Sequence, residues 1–201
     1  MMTTTSTSTL IIVVALIIVA AVAAAIWTSI HRKQQSVRLQ KRYGAEYERE
    51  VARLGSQSKA EAELVKREAR VAKLTIVPLT SKEAAHFAQA WSRLQGGFVD
   101  NPGSAVAEAD SLVKELMTAR GYPVSDFESR AADISVDHPN VVYAYRAAQA
   151  IALKNSRREA NTEELRQAVV HYRTLFSDLL QVHPVPVPVT ETPKPRLAAH
   201  S

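Results

Sequence analysis

Two short residue pairs in this 201-residue sequence combine side chains that could bind a metal or move a proton. Glu83 and His86 form an E-x-x-H pair, the spacing used by carboxylate-bridged di-metal sites in four-helix bundles. Such a site needs a second pair and two further inward glutamates, and the sequence has only this pair. Ala84, Phe87 and Trp91 predict a core-facing stripe that leaves Glu83 and His86 at its flank. We therefore expect Glu83 to cap a helix, and we expect no metal site.

The other acid and histidine positions have simpler explanations than catalysis. Asp137 and His138 stand directly before a proline, where such residues usually cap the start of a helix. His171 lies beside an apolar helix seam, and Ser125 and Ser135 lack the G-x-S-x-G context of a serine nucleophile. There is no P-loop, G-x-G-x-x-G or H-E-x-x-H. The sequence predicts a protein that is not an enzyme and has no cofactor; an enzyme or ligand-binding bundle without a recognisable motif stays open.

Composition and charge remove further classes. The chain has no cysteine, which excludes disulfide-stapled domains, thiolate zinc sites and cysteine nucleophiles. Its net charge of +5 is segregated: residues 31–77 carry 12 Lys and Arg against 6 acids, whereas residues 78–180 carry 11 against 13. Glutamates interleave the basic stripe, and no helix-turn-helix, RNP or zinc-finger pattern is present. We therefore expect no nucleic-acid partner.

Residues 10–30 predict a transmembrane helix, preceded by a polar segment at 1–9. This run contains no charged residue, and at 1.5 Å per residue it spans about 30 Å, the thickness of the hydrocarbon core. Basic residues follow the run, and the first nine residues have none. By the positive-inside rule we expect a single-pass protein of the plasma (inner) membrane with its C-terminal domain in the cytoplasm. A secreted or periplasm-facing form of the same domain is the alternative.

Residues 31–77 predict a basic juxtamembrane helix that is broken near Gly55, since this glycine is followed by a second capping signal at Ser58 and Glu61. Its first residues suit anionic lipid head groups, each contributing about 1 kcal/mol near the surface. The candidate head-group contacts are Arg32, Lys33, Arg38, Lys41 and Arg42. The alternative is a topology signal followed by a solvated helix face.

Residues 78–181 predict a bundle-like domain of four or five helices, because apolar seams of helical period alternate with caps and prolines. The predicted helix starts are at Thr80, Asn101, Ser125, Asp137 and Asn161. No segment alternates with period two, so the fold class is all-α. Residues 182–201 form a Pro-rich tail for which we expect disorder and the role of a spacer, since no P-x-x-P motif occurs.

Tyrosine and arginine concentrate at the predicted helix ends of the body, and both are favoured at protein-binding hot spots. The candidate interaction residues are Tyr122, Tyr143 and Arg146. The alternative is that Tyr122 packs behind a helix-ending glycine and Tyr145 packs in the core. We expect a protein-interaction or scaffold module whose partner is another protein or a second copy, in addition to the bilayer.

Two strings carry a resemblance to known sequences. They are ADSLVKELMTARGYP, which ends at Pro123, and SVDHPNVVYAYR, which ends at Arg146. With these strings, residues 40–180 resemble a group of uncharacterised bacterial membrane-anchored or "secreted" helical proteins with a hydrophobic N-terminus and an arginine-rich linker. The resemblance implies a bacterial source and a single helical fold. It implies no activity and assigns no functional residue.

Overall fold

The protein is all-α in the part of the chain that its computed structural model describes, residues 3–123 and 125–180. The side chains of residues 3–15 and 17 lie outside the described part. Eight helices and no strand occur there. They are α1 (Thr3–Tyr43), α2 (Ala45–Leu54), α3 (Gln57–Val71), α4 (Ser81–Gly97), α5 (Pro102–Ala119), α6 (Phe127–Asp137), α7 (Val142–Ser156) and α8 (Thr162–Leu179). The predicted Pro-rich tail, residues 182–201, lies outside the described residues.

Helix α1 is 41 residues long and therefore extends about 60 Å. Every described side chain from Leu16 to Gln34 is exposed, and Leu39 is the first fully buried one. Among the described residues, no helix is both long and apolar enough to cross a membrane. Residues 10–15 and 17 of the predicted span have side chains outside the described set.

Glycine ends the helices of the basic segment twice. Gly55 closes α2 in the left-handed conformation, with its N–H bonded to the Val51 carbonyl, which confirms the predicted break. A second break at Gly44, also at positive φ, separates α1 from α2 and was not predicted. Tyr43 and Tyr47 are both buried across this break, so α1 and α2 continue one apolar face through it.

Helices α4 to α8 form the predicted five-helix body. Side-chain caps open α4 and α8: the pairs Thr80 with Glu83 and Asn161 with Glu164 each make both bonds of a capping box. Asn101 caps α5, whose first residue is a proline. The body's core has its fully buried centre where α5, α7 and α8 meet. Its members include Val113, Leu116, Ala148, Tyr145, Tyr172 and Leu175.

Three predicted helix starts are wrong. The predicted capping residue Ser58 lies inside α3, which begins at Gln57 with Ser56 as its N-cap. Helix α6 is capped by Asp126, which accepts a hydrogen bond from the Ser129 N–H, and not by Ser125. It also continues to Asp137, so His138 ends α6 instead of opening α7. The proline fits the turn after His138, and α7 begins only at Val142. A proline marks the boundary between helices, but it does not say on which side the histidine lies.

The basic segment packs against the body and does not stand apart from it. The C-terminal part of α1, with α2 and α3, encloses a second apolar cluster that includes Val136 of α6. Arg42 donates to the Val136 carbonyl at 3.0 Å, and Arg70 Nε donates to Asp133 at 2.7 Å. The sequence left open whether these helices dock on the bundle, and the structure shows that they do.

Gly121 provides a test of this packing. It has φ +91°, and a Cβ at this position would lie 2.3 Å from the Thr75 carbonyl oxygen. We expect Gly121→Ala to lower the free energy of unfolding by about 2–3 kcal/mol, because both strain and overlap must be relieved. Chemical denaturation followed by circular dichroism measures this. Gly96→Ala is the control. Gly96 lies inside α4, and a Cβ there would meet no neighbouring atom within 4 Å, so this change should raise the free energy of unfolding by at most about 1 kcal/mol. Equal stability of the two variants would contradict the packing.

Candidate binding groove

The structure separates the three candidate interaction residues. Tyr122 is 2% exposed and its hydroxyl donates to Asp137 at 2.8 Å, so the prediction that it lies at the surface is corrected. It packs behind Gly121, as the alternative held, and Tyr145 is fully buried. Tyr143 is 59% exposed. Arg146 lies within one turn of Tyr143 on α7, so these two residues stay together.

Tyr143 and Arg146 line a groove of about 480 Å³ between the α1–α2 junction and the start of α7. Pocket volumes of this size are typical of sites for small molecules or short peptide segments. One wall is formed by the residues around Gly44, together with Arg49. The other wall includes Pro139, Asn140 and Val142 from the α6–α7 turn and α7.

A buried ionic network lies behind the groove and holds its walls together. Glu46 is 3% and Glu50 0% exposed, and both face Arg67 of α3, which is 4% exposed. Arg67 Nη1 lies 3.3 Å from Glu46, and Nη2 lies 2.7 Å from Glu50. Arg146 of α7 donates to Glu46 at 2.9 Å. Glu46 thus joins α2, α3 and α7 at one point.

The same network extends outwards to the start of α6. Arg146 Nη1 donates to Glu128 at 2.8 Å, and Arg49 approaches Glu128 at 3.4 Å. Arg49 also lies 3.7 Å from Glu46, but its buried Nη1 has no hydrogen-bond partner among the described residues. The spacing of Glu46 and Glu50 in the sequence favours pairs with near neighbours only, since Arg42 and Arg49 lie four and three residues from Glu46 and Arg53 lies three from Glu50. It gave no signal that α3 and α7 would bury them.

Burial and charge shift the pKa values of ionisable groups around the groove, among them Tyr43 and Glu50. Burial raises the pKa of Tyr43 to about 12, with the negative charge of Glu68 adding to the shift. The Tyr43 hydroxyl is buried and has no hydrogen-bond partner among the described residues. Burial alone would raise the pKa of Glu50 as well, but hydrogen bonds and charges from Arg53 and Arg67 outweigh it and lower the pKa from 4.5.

The five candidate lipid contacts divide into two sets. Arg38 and Arg42 both pair with Glu68 of α3, at 2.8 and 3.1 Å, so they help hold α1 against α3. Arg32, Lys33 and Lys41 are exposed, and they make no ion pair within the described part of the chain. These three cations are therefore the ones available to lipid phosphates.

The residues first considered for chemistry make separate local contacts. Glu83 is the capping partner of Thr80, and His86 is exposed. His138 contacts Asp178 of α8, while Asp137 accepts from Tyr122. No group of three or more metal-ligating side chains occurs in the region described. His171, Ser125 and Ser135 lie apart from the groove.

Comparisons with protein-family models, with curated proteins and with solved structures give no match to this chain.

Arg67 is the residue on which we expect the network to depend. Arg67→Met should lower the free energy of unfolding by about 3–5 kcal/mol, because Glu46 and Glu50 lose a buried partner while remaining buried. Denaturant unfolding measures the change. Arg166→Met is the matched control: Arg166 is 57% exposed and pairs with Glu163, so its loss should cost less than about 1 kcal/mol. A cost below about 1 kcal/mol for Arg67→Met as well would contradict the role of the network.

Glu50 also predicts a pH dependence. Its pKa is lower in the folded protein than its ordinary value of 4.5, so it stabilises the fold above about pH 4.5. This stabilisation is lost as the pH falls through the folded pKa. We expect the stability difference between the wild type and Glu50→Gln to shrink as the pH is lowered from 6 to 3, as measured from urea midpoints. If the two proteins lose stability in parallel as the pH falls, the pKa of Glu50 is the same in the folded and unfolded states, and the prediction is wrong.

Proposed function

We propose that this chain is a single-pass membrane protein, anchored by residues 10–30, whose helical body lies in the cytoplasm and binds a protein segment in its groove. The observation that carries the proposal is the exposure of α1. Leu16, Ile18, Val19, Val22, Ile26, Trp27 and Ile30 are each 52–74% exposed. Alanines occupy most positions between them, so no side of this stretch is polar.

Lipid is the medium that this surface fits. Burying one large apolar side chain contributes about 1.5–3 kcal/mol, and no other part of the described chain covers these residues. The exposed cations Arg32 and Lys33 come directly after the apolar stretch, where they suit lipid phosphates and favour a cytoplasmic body. Lys41 lies about 16 Å further along the helix than Ile30. The groove supports the second half of the proposal because Tyr143 and Arg146 are residue types common at binding hot spots.

Membrane anchoring predicts a clear response to charge. The variant Val19→Arg/Val22→Arg should be extracted by alkali, whereas the wild type should stay in the membrane fraction. The reason is that each arginine near the centre of a span costs about 2.5–3.5 kcal/mol. Val37→Arg is the control: Val37 is 63% exposed but lies outside the apolar run, so this variant should stay in the membrane. Equal extraction of both variants would overturn the anchor.

A reporter active only outside the cytoplasm, fused after Ser201, tests the orientation. We expect it to be silent, and its activity would support the periplasm-facing alternative instead.

The interaction role is tested by the size of the complex extracted from native membranes with mild detergent. Tyr143→Ala should reduce that size, whereas Leu153→Ala, at another exposed apolar residue of α7, should not. Unchanged size in both variants would count against the groove as the binding surface.

A further inference from the structure

The chain leaves the described body next to the groove. The end of α8 is held by Arg120, whose Nη1 donates to the Leu179 carbonyl at 2.8 Å. One residue earlier, Asp178 contacts His138. His138 immediately precedes Pro139 and Asn140, which form part of the groove wall. Leu180, the last described residue before the tail, therefore lies near that wall.

The distance from the end of α8 to the first proline of the tail is short. Three residues, 181–183, separate Leu180 from Pro184, and they can span about 10 Å when extended. Residues 184–189 alternate proline and valine. A segment that begins beside the α6–α7 turn and needs only three residues to reach its apolar part is well placed to enter the groove.

The groove presents hydrogen-bond donors and an aromatic face. Asn140 is exposed, Arg49 is 36% exposed, and both carry N–H groups. The carboxylate of the groove, Glu46, is buried and already held by arginines. The ring of Tyr143 is exposed on the wall that faces Arg49. An occupant that supplies carbonyl acceptors and apolar rings therefore fits the groove.

The Pro-Val sequence has this chemistry. Proline carries no N–H, and on an extended backbone the polar groups of every second residue lie along the same edge. Pro184, Pro186 and Pro188 would therefore present one edge of carbonyl acceptors without a donor. Their rings suit an aromatic face, as in other recognition of proline-rich segments. This match does not require a P-x-x-P motif.

We propose that residues 183–190 of this chain dock in its own groove, so that a protein partner has to displace them. The inference rests on the groove of the proposed function but not on the membrane anchor. Because the linker is short, the effective concentration of the tail is on the order of 1 mM. For an intrinsic Kd of about 100 µM, the groove would be about 90% occupied, and an added competitor would bind about tenfold more weakly.

A synthetic peptide of residues 181–192 tests the proposal. We expect it to bind a chain that ends at Leu180, and to bind the intact chain about tenfold more weakly, as measured by fluorescence anisotropy. Tyr143→Ala in the shortened chain should abolish binding, and Leu153→Ala should leave it unchanged. A peptide in which Pro184, Pro186 and Pro188 are serine should not bind. Failure of the wild-type peptide to bind, or equal affinity for both chains, would overturn the proposal.

A second measurement uses the intact chain and does not depend on how the shortened chain folds. A photo-crosslinking amino acid at position 143 should join to residues 183–190 of the same molecule, and one at position 153 should not. Mixing isotope-labelled and unlabelled chains distinguishes the two modes, since crosslinks between chains would contradict docking within one chain. If no tail crosslink forms but Tyr143→Ala still reduces the size of the native complex, this inference fails while the proposed function stands.

Discussion

The arrangement of the first three helices against the body depends on two carboxylates that are removed from water. Glu46 and Glu50 lie on one face of α2, and their charges are balanced by Arg67 from α3 and Arg146 from α7. A buried ion pair often adds little net stability over an apolar pair, but it fixes geometry, because each charge tolerates only its partners' positions. Here the network determines where α2 sits, and with it the wall of the groove.

That network also explains why the sequence predicted the helices better than the way in which they pack against one another. The capping boxes at Thr80 and Asn161 and the glycine at 55 act locally, so their residue types alone indicate the helix ends. The burial of Glu46, in contrast, depends on residues that are distant in the sequence. Its partner Arg67 is 21 residues away in the sequence and Arg146 is 100 residues away, and the sequence predicted neither pairing. Only the tertiary fold brings these charges together.

The candidate site, too, could be predicted only in part from the sequence. Tyrosine and arginine in the strings around residues 122 and 143 indicated a surface rich in binding residue types, but helical period could not tell which tyrosine faces outwards. Tyr143 does, whereas Tyr122 is buried by the chain that crosses behind Gly121. The break at Gly44, which shapes the other wall, was hidden because the residues on both sides of it continue one apolar stripe.

The long first helix connects the exposed apolar stretch to the groove. Tyr43, at the C-terminal end of α1, is part of the groove, and the helix is uninterrupted from there back to its start at Thr3. About 20 Å of rigid helix separate Ile30 from Tyr43. A change of 10° in the tilt of the N-terminal part would thus displace the Tyr43 end by about 3.5 Å if the rest of the body were held, comparable to the width of a peptide backbone. The exposed apolar stretch and the Tyr43 wall of the groove belong to one continuous helix, so the tilt of the first and the position of the second are coupled.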